Sequence, residues 1–208
     1  SAGVQHTEFS SVVHNFVRQM LLGLKAAAMR VPYIPTRIGL GTDLVKHNPQ
    51  IKVIGSPYDN KEWVAMPALN LDVALLHVDR ADARGVCQIS GPDMYMDDLY
   101  ARAAKQTFVS CDELVETSAF DSAENSRLVF WERSETTGVV HLPCGAHPTS
   151  CAPLYGFDTQ HFKEYAASAK QPDGWQQYSE RYVQCSQEEY LQRVGGADAI
   201  AKLPLPVF

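Results

Sequence analysis

Two histidines and a cysteine fall close together past the middle of the chain. His141, Cys144 and His147 form an H-x2-C-x2-H spacing. Imidazole nitrogen and thiolate sulfur are ligands that zinc prefers, but no fourth ligand follows at a matching spacing. Cys144 as a nucleophile with His147 as its base is a second possibility. Pro143 and Pro148 stiffen this segment, so we predict no metal site, and we interpret His147 as a structural residue or as one that faces a substrate.

A second group of candidates lies at a glycine-containing turn. Gly39 and Gly41 are separated by one residue and followed by Thr42. Such glycines let the backbone approach a ligand closely, and exposed amide N–H groups suit an anion. A simple turn is the alternative, because the third glycine of a dinucleotide motif and the lysine of a P-loop are both missing. Glu8, next to His6, is a candidate general base if it is buried and a solvated carboxylate if it is not.

The elements that must position these residues alternate between helices and strands. Apolar residues recur with helical periodicity over 9–30, whereas 73–78 is a short apolar run between polar residues and predicts a central strand with both faces covered. Further strands are predicted at 51–55, 107–111 and 139–142, with helices over the last 50 residues or so. One of these helices is predicted to begin with a capping box formed by Ser186 and Glu189. This alternation predicts βαβ units and a largely parallel sheet, whose ligand site should follow the central strand.

Composition excludes several classes of function. The chain has 208 residues and a formal net charge of -6, which argues against a nucleic-acid or anionic-membrane partner. It contains no apolar run of the roughly 18 residues that a membrane helix needs. Five cysteines without a tight spacing favour reduced thiols and a cytoplasmic location. The length fits a single α/β domain over 1–208.

Three phrases within residues 23–156 resemble the α subunit of the family I coenzyme A transferases, in particular the glutaconate CoA-transferase type. These phrases are LKAAAMRVPYIPTRIGLGTDLV, IKVIGSPYDNKEWVAMPALNLDVALLHVDRADARGVCQI and LPCGAHPTSCAPLYG. The resemblance implies the CoA-transferase/NagB-RpiA-like fold, an open and mostly parallel sheet with helices on both faces, followed by a helical C-terminal tail. It also implies that 1–208 lacks an N-terminal portion of the family's domain.

The resemblance further implies a CoA-transferase that works with a β subunit of similar fold, as αβ or α2β2. Coenzyme A would be a substrate, with no resident cofactor. A glutamate of the β subunit would attack the acyl-CoA and form an anhydride with release of the CoA thiolate. The thiolate would return to form an enzyme thioester and free the first carboxylic acid, and CoA would then pass to a second carboxylic acid. Strand-end amides would stabilise the developing oxyanion. The substrate-binding residues implied here are Arg37 for a carboxylate, Gly39, Gly41 and Thr42 for the acyl pocket, and then Gln88, Gly145 and His147.

Two alternatives to the transferase remain open. The chain also resembles the α subunit of the CoA-thioester hydrolase that cleaves a carbon–carbon bond in steroid ring opening. In that group an α-subunit carboxylate acts as base without an acyl-enzyme, and Glu8 is the residue here that lies in the matching place. The other alternative is a non-catalytic α/β subunit that binds and scaffolds a partner.

Overall fold

The computed structural model describes residues 17–92 and 94–205. The chain divides into two compact units, one formed by Ser1–Ala74 with Tyr95–Thr107 and the other by Leu75–Met94 with Phe108–Phe208. The single-domain organisation expected for 1–208 stays a prediction. In the described ranges no helix combines the length and the apolar character that crossing a membrane requires.

The first unit combines a short antiparallel sheet with helices. Its elements are helix α1 over residues 17–28, β1 (Tyr33–Thr36), α2 (Asp43–His47), β2 (Lys52–Gly55), β3 (Glu62–Pro67) and α3 (Asp97–Ala103). The strand order is β1-β3-β2. The helix predicted over 9–30 is confirmed for 17–28, and its earlier part lies outside the described residues.

Both pairings in this sheet are antiparallel. The loop between β2 and β3 is short, and a short hairpin can join only antiparallel strands. The sequence did not predict this sheet, and the prediction of a buried strand at 51–55 is wrong in part. Lys52 and Val53 are exposed, because β2 has β3 on one side only and is an edge strand.

The core of the first unit forms where α1 meets α3. Leu24 and Ala27 of α1 are buried in one cluster with Ala103. Gly23 on the same helix has the backbone of Pro67 and Leu69 close to the place where a side chain would begin. Small residues on α1 therefore allow the helix to lie close to the end of β3.

The four-stranded sheet is mostly parallel, as predicted. Its strands are β4 (Leu71–Asp82), β5 (Cys87–Gln88), β6 (Ala104–Val115) and β7 (Gly138–His141), in the order β5-β4-β6-β7. β6 and β7 are parallel. His77 contacts Ser110, and Arg80 contacts Glu113 further along, so β4 and β6 also run in the same direction. β5 pairs with the end of β4 as an antiparallel hairpin. The α/β class is therefore confirmed.

The expectation that both faces of the 73–78 strand are covered is wrong for the described chain. Val78 is 1% exposed, but Leu75 is 79% exposed. The side chains of a strand alternate between two faces. Only one face of this part of β4 is therefore buried among the described residues.

Short helices follow β6 and β7 in the second unit. They are α4 (Ala123–Ser126), α5 (Thr159–Ser168), α6 (Gly174–Tyr182), α7 (Gln187–Arg193) and α8 (Ala197–Ile200). The capping box predicted at Ser186 and Glu189 is present at the start of α7. Cys144, Cys151, Tyr155 and Ile200 form a buried cluster. The helical C-terminal region is thus confirmed.

Candidate functional site

The turn that follows β1 in the first unit carries four of the predicted site residues. Gly39 and Gly41 have φ angles of +86° and +77°, which side-chain-bearing residues rarely adopt. Thr42 closes the turn, because its N–H and its hydroxyl both donate to the carbonyl of Gly39, at 3.1 and 2.7 Å. Arg37 lies in the same turn and is exposed. Arg37, Gly39, Gly41 and Thr42 therefore lie in one turn, and their binding of a substrate stays a prediction.

A buried amide from helix α1 lies against this turn. Gln19 is 3% exposed, and its Nε2 donates to no described residue. The amide nitrogen lies so close to Gly39 that a β-carbon there would collide with it. The N–H groups of Gly39 and Gly41 also lack a hydrogen-bond acceptor among the described residues. Gly41 is exposed, so water can satisfy its N–H, whereas Gln19 Nε2 is a buried donor and Gly39 is a buried residue. Unpaired buried donors are costly, so the Gln19 amide beside Gly39 favours an acceptor atom from a ligand.

The second unit has a buried polar network near the carboxyl ends of its parallel strands. His77 of β4 lies between two residues of β6, with its Nδ1 at 2.8 Å from Ser110 Oγ and its Nε2 at 2.7 Å from Asp112 Oδ2. The side chains of His77 and Asp112 are 14% and 7% exposed. Asp112 also accepts the N–H of Cys144 at 2.5 Å and the hydroxyl of Tyr155 at 3.0 Å.

This environment keeps Asp112 ionised. Burial raises the pKa of its carboxyl group, but the hydrogen bonds from His77 and from the Cys144 N–H outweigh burial, and the net pKa lies below the ordinary value. Burial and the same negative charge raise the pKa of the Tyr155 hydroxyl. Asp112 therefore ties the turn after β7 to the adjacent strands through a charged acceptor.

The side chains of the H-x2-C-x2-H segment do not come together at one site. His141 is exposed and lies 3.1 Å from the carbonyl of Asp112, whereas His147 is buried and contacts Asp158 and Tyr190. The ligand-type atoms that do come together within the described ranges belong to His77, Asp112 and Cys151. The direct hydrogen bond between His77 and Asp112 already explains that grouping.

The alternative of a Cys144 nucleophile with a His147 base is wrong. The ring nitrogens of His147 face Tyr190 at 2.6 Å and Asp158 at 3.3 Å. Burial, followed by the charge of Asp112, raises the pKa of the Cys144 thiol, and burial raises that of Cys87 to about 12. Because thiolates are the reactive form of cysteine, neither thiol is activated for attack.

Gln88 takes part in a chain of hydrogen bonds beside the end of β4. Its side-chain oxygen accepts from Arg80 at 3.4 Å, and its Nε2 donates to the hydroxyl of Ser90 at 2.9 Å. Ser90 donates through its N–H and its hydroxyl to Asp79, a buried carboxylate whose pKa is raised by that burial. Both ends of the Gln88 amide are thus occupied within the protein, so its substrate-binding role stays a prediction.

Gly145 and His147 share the turn that follows β7. A β-carbon at Gly145 would lie 2.9 Å from Cε1 of His77 and 2.8 Å from the carbonyl of Leu142, so packing alone requires a small residue there. Burial lowers the pKa of His147, although Asp158 opposes that shift. Packing explains why residue 145 is small, and burial with hydrogen bonds explains the position of His147. Their contact with a substrate stays a prediction. Glu8, the predicted base, lies outside the described residues.

Sequence reasoning missed the polar residues that hold each of these regions together. Gln19 lies one and two helical turns before the buried residues Gly23 and Ala26 and on the same face of α1. This helical spacing is the signal that indicates its burial. His77 is a polar residue inside an apolar strand, and the apolar pattern around it hides its polar role. No local pattern marks Asp112, because its partners lie 32 to 43 residues away in sequence.

Comparison with known proteins agrees with this fold. The family model described as Coenzyme A transferase matches residues 8–126. The structure superimposes on the crystal structure of glutaconate coenzyme A-transferase from Acidaminococcus fermentans with a TM-score of 0.79 at 25% identity, covering 88% of this chain and 62% of that chain. This chain therefore belongs to the coenzyme A transferase family and is α-subunit-like, as the resemblance predicted.

Two relatives differ in the reaction that their names state. The chain is 39% identical over 178 residues to the cholesterol ring-cleaving hydrolase IpdA subunit of Rhodococcus jostii, covering 83% of this chain and 60% of that protein. It is 27% identical over 195 residues to one subunit of the glutaconate CoA-transferase of Acidaminococcus fermentans, covering 84% of this chain and 59% of that subunit. The chain thus spans about 60% of the length of these two relatives.

Proposed function

We propose that this chain is the α-type subunit of an enzyme that acts on a coenzyme A thioester together with a β-type partner chain, as αβ or α2β2. The observation that carries this proposal is the donor grouping of Gln19 Nε2 with the N–H groups of Gly39 and Gly41. A thioester or ketone carbonyl oxygen is an acceptor of the kind that such donors require, and it gains negative charge when the carbonyl is attacked. The turn is then an acyl-binding element rather than the source of a nucleophile.

The described residues fit a supporting role in the chemistry. The carboxylates of Asp79 and Asp112 are engaged by donors of the protein itself, and the buried thiols have raised pKa values. A reaction therefore needs a base or nucleophile from elsewhere. In a transferase it is a glutamate of the partner, and in a hydrolase it is Glu8 of this chain.

Between the two reactions, carbon–carbon bond hydrolysis is favoured by the higher identity to the Rhodococcus jostii hydrolase subunit, 39% against 27%. In that reaction water adds to a ketone carbonyl and gives up a proton to the base. The adjacent carbon–carbon bond breaks, and its electron pair remains as an enolate that takes up a proton. Transfer of coenzyme A between carboxylic acids is the second candidate, supported by the structural likeness to glutaconate coenzyme A-transferase.

The two reactions change mass in different ways, and this decides between them. The purified complex is incubated with a panel of short-chain, dicarboxylic and ring-bearing acyl-CoA thioesters, with and without a free carboxylic acid, and followed by mass spectrometry. Hydrolysis adds the mass of one water and leaves the thioester intact. Transfer leaves a glutamyl-CoA adduct on the partner chain when no free acid is added, and it exchanges the acyl group of the thioester when a free acid is present. If neither occurs with any thioester, the scaffolding alternative replaces both.

The role of the donor grouping is tested by Gln19→Met, which keeps the length of the side chain and removes the N–H. We expect kcat to fall by about a hundredfold, as for the loss of one oxyanion donor. Thermal stability should stay the same or rise, because an unpaired buried donor is removed. Gln50→Met, at an exposed position of the same unit, is the matched control. An unchanged kcat in Gln19→Met contradicts the assignment, as does a loss of activity that merely follows a loss of stability.

We also propose a cytoplasmic location, as the composition predicts. The five cysteines are all unpaired thiols. Coenzyme A is a substrate on this proposal, and no resident cofactor or metal is required.

A further inference from the structure

A serine, a histidine and an aspartate lie in a row across β4 and β6 of the second unit. The Nδ1 of His77 is 2.8 Å from Ser110 Oγ, and its Nε2 is 2.7 Å from Asp112 Oδ2. A hydroxyl within hydrogen-bond reach of an imidazole, which is held in turn by a carboxylate, is the arrangement that activates serine nucleophiles on unrelated folds. The row therefore has the geometry of a nucleophile, a base and a group that orients the base.

The positions of the protons agree with these roles. The ionised carboxylate of Asp112 can only accept a hydrogen bond, so the Nε2 of His77 carries the proton between them. In the neutral imidazole Nδ1 is then an acceptor, and the Ser110 hydroxyl is the described donor that faces it. The carbonyl of Leu76 also lies within reach of this hydroxyl, but at the longer distance of 3.3 Å. His77 is thus placed to take the Ser110 proton as a general base.

An apolar patch surrounds this serine on the same face of the sheet. Val140 of β7 lies opposite Ser110 in the register of the two strands. Leu75 and Phe108 lie two residues before His77 and Ser110, so their side chains point to the same face as these two residues. The exposed fractions of Leu75, Phe108 and Val140 are 79%, 38% and 56%, and Ser110 is partly exposed. An apolar chain can therefore lie on this patch with its reactive end at Ser110.

The turn after β7 packs against His77 but offers little help to a developing oxyanion. A β-carbon at Gly145 would lie 2.9 Å from the imidazole ring. The N–H groups of Cys144, Gly145 and Ala146 all donate to oxygen atoms of the protein itself. Because the loss of one oxyanion donor costs about 10²–10³ in rate, we expect a serine that is acylated once and slowly, and not a fast hydrolase.

From this geometry we propose that Ser110 is an acylation site, at which the serine accepts an apolar acyl group from an activated ester or thioester. The Ser110 oxygen forms a bond to the carbonyl carbon, and the bond from that carbon to the leaving sulfur or oxygen breaks. The hydroxyl proton passes to His77 Nδ1 and from there to the leaving group. This acylation is separate from the coenzyme A reaction proposed above, whose base or nucleophile comes from elsewhere, and it uses none of the residues at Gly39.

Two reagents test this proposal on the purified full chain, together with any partner that copurifies. A fluorophosphonate with an octyl chain bonds to activated serines with loss of fluoride, and the labelled residue is identified by peptide mass spectrometry. We expect one label per chain, on Ser110, and none when the chain is unfolded in urea. With p-nitrophenyl butyrate we expect a burst of about one nitrophenolate per chain, followed by slow release.

Variants assign the reactivity to single residues. Ser110→Ala should abolish the label and the burst, whereas Ser126→Ala, at an exposed serine of the same unit, should change neither. His77→Gln should lower the labelling rate by about a hundredfold or more, because the general base is lost. Asp112 is a positioning residue. At a temperature at which Asp112→Asn stays folded, its maximal labelling rate should fall and its half-saturating probe concentration should not change.

The apolar patch is tested separately through the binding of the probe. Leu75→Ser should raise the half-saturating concentration of the octyl probe by several-fold, because it removes an exposed apolar contact. Leu205→Ser, at another exposed leucine of the second unit, should leave that concentration unchanged.

Several outcomes would overturn the assignment. One is a folded chain in which Ser110 takes no label, including the case in which a partner chain covers this face. Another is a label on Ser110 that forms equally fast in the urea-unfolded chain or in a folded His77→Gln variant. If His77→Gln does not fold, the comparison of the native with the unfolded chain still decides the question.

Discussion

Replacing Asp112 by asparagine tests the buried network that links the turn after β7 to the adjacent strands. The side chain is 7% exposed and accepts from His77, from the Cys144 N–H and from the Tyr155 hydroxyl. Asparagine has the same shape but only one acceptor oxygen. Whichever way its amide is turned, the NH2 group faces at least one of those donors, and the negative charge is lost.

The size of the effect follows from the nature of the bonds. Leaving a buried donor without its acceptor costs about 1–3 kcal/mol, and we take about 3 kcal/mol because the acceptor that is lost is charged. Asparagine can keep the bonds from His77 and Tyr155, which share Oδ2, but it then loses the bond from the Cys144 N–H. For a chain of this length, about 1 kcal/mol shifts the melting temperature by about 2–4 °C. Asp112→Asn should therefore lower Tm by about 6–12 °C at pH 7 in differential scanning calorimetry.

The dependence on pH gives this prediction a second, independent readout. Because the folded-state pKa of Asp112 is below the ordinary value of 3.8, its ionised form contributes stability above that value and loses it as the pH falls through the folded pKa. The gap between wild type and Asp112→Asn should be constant from pH 7 to pH 5 and should shrink only below about pH 4.

The control is Asp72→Asn, which removes an exposed carboxylate that pairs with Lys105 at 2.7 Å and should leave Tm unchanged. A Tm of Asp112→Asn within about 2 °C of wild type would refute the reasoning, since it would mean that the network contributes little. The same holds for a gap that persists unchanged below about pH 3.

The turn after β7 supplies two more predictions. Gly145→Ala places a β-carbon 2.9 Å from His77 and 2.8 Å from the carbonyl of Leu142, so urea denaturation should show a loss of about 1–3 kcal/mol, whereas Gly55→Ala, with open space around it, should show none. An equal effect of both changes would contradict this. Burial lowers the pKa of His147, so the unfolded chain binds a proton that the folded chain does not. Stability should therefore decrease as the pH falls below 6.5, and His147→Gln should flatten that slope; a wild-type stability that is constant from pH 7 to pH 5 would disprove it.

The features predicted correctly from the sequence are those that local patterns encode. Ser186 and Glu189 form the expected capping box, because both partners belong to one helical turn. Gly39 and Gly41 occupy left-handed backbone conformations in a turn, which is what their spacing indicated. The parallel arrangement of β6 and β7 follows from the long connection between them.

The features that escaped prediction depend on residues distant in sequence. An apolar pattern at 51–55 indicates a strand but cannot distinguish an edge strand from a central one, so the exposure of Val53 does not follow from it. The surroundings of the Gln19 amide depend on the position of the turn at Gly39, which is 20 residues away in sequence. Helical periodicity carries no information on that position. The partners of Asp112 come from three separate segments, which only the folded chain brings together.

The way in which the backbone is shared between the two units has a practical consequence for dissecting this protein. The chain passes between them at three places, after Ala74, after Met94 and after Thr107. Two of these junctions fall inside single strands, β4 and β6. No single cut can therefore release either unit as an uninterrupted fragment. Limited proteolysis or truncation at any of the three junctions should yield insoluble or unfolded pieces, and loops such as 56–61 are the better places for tags and insertions.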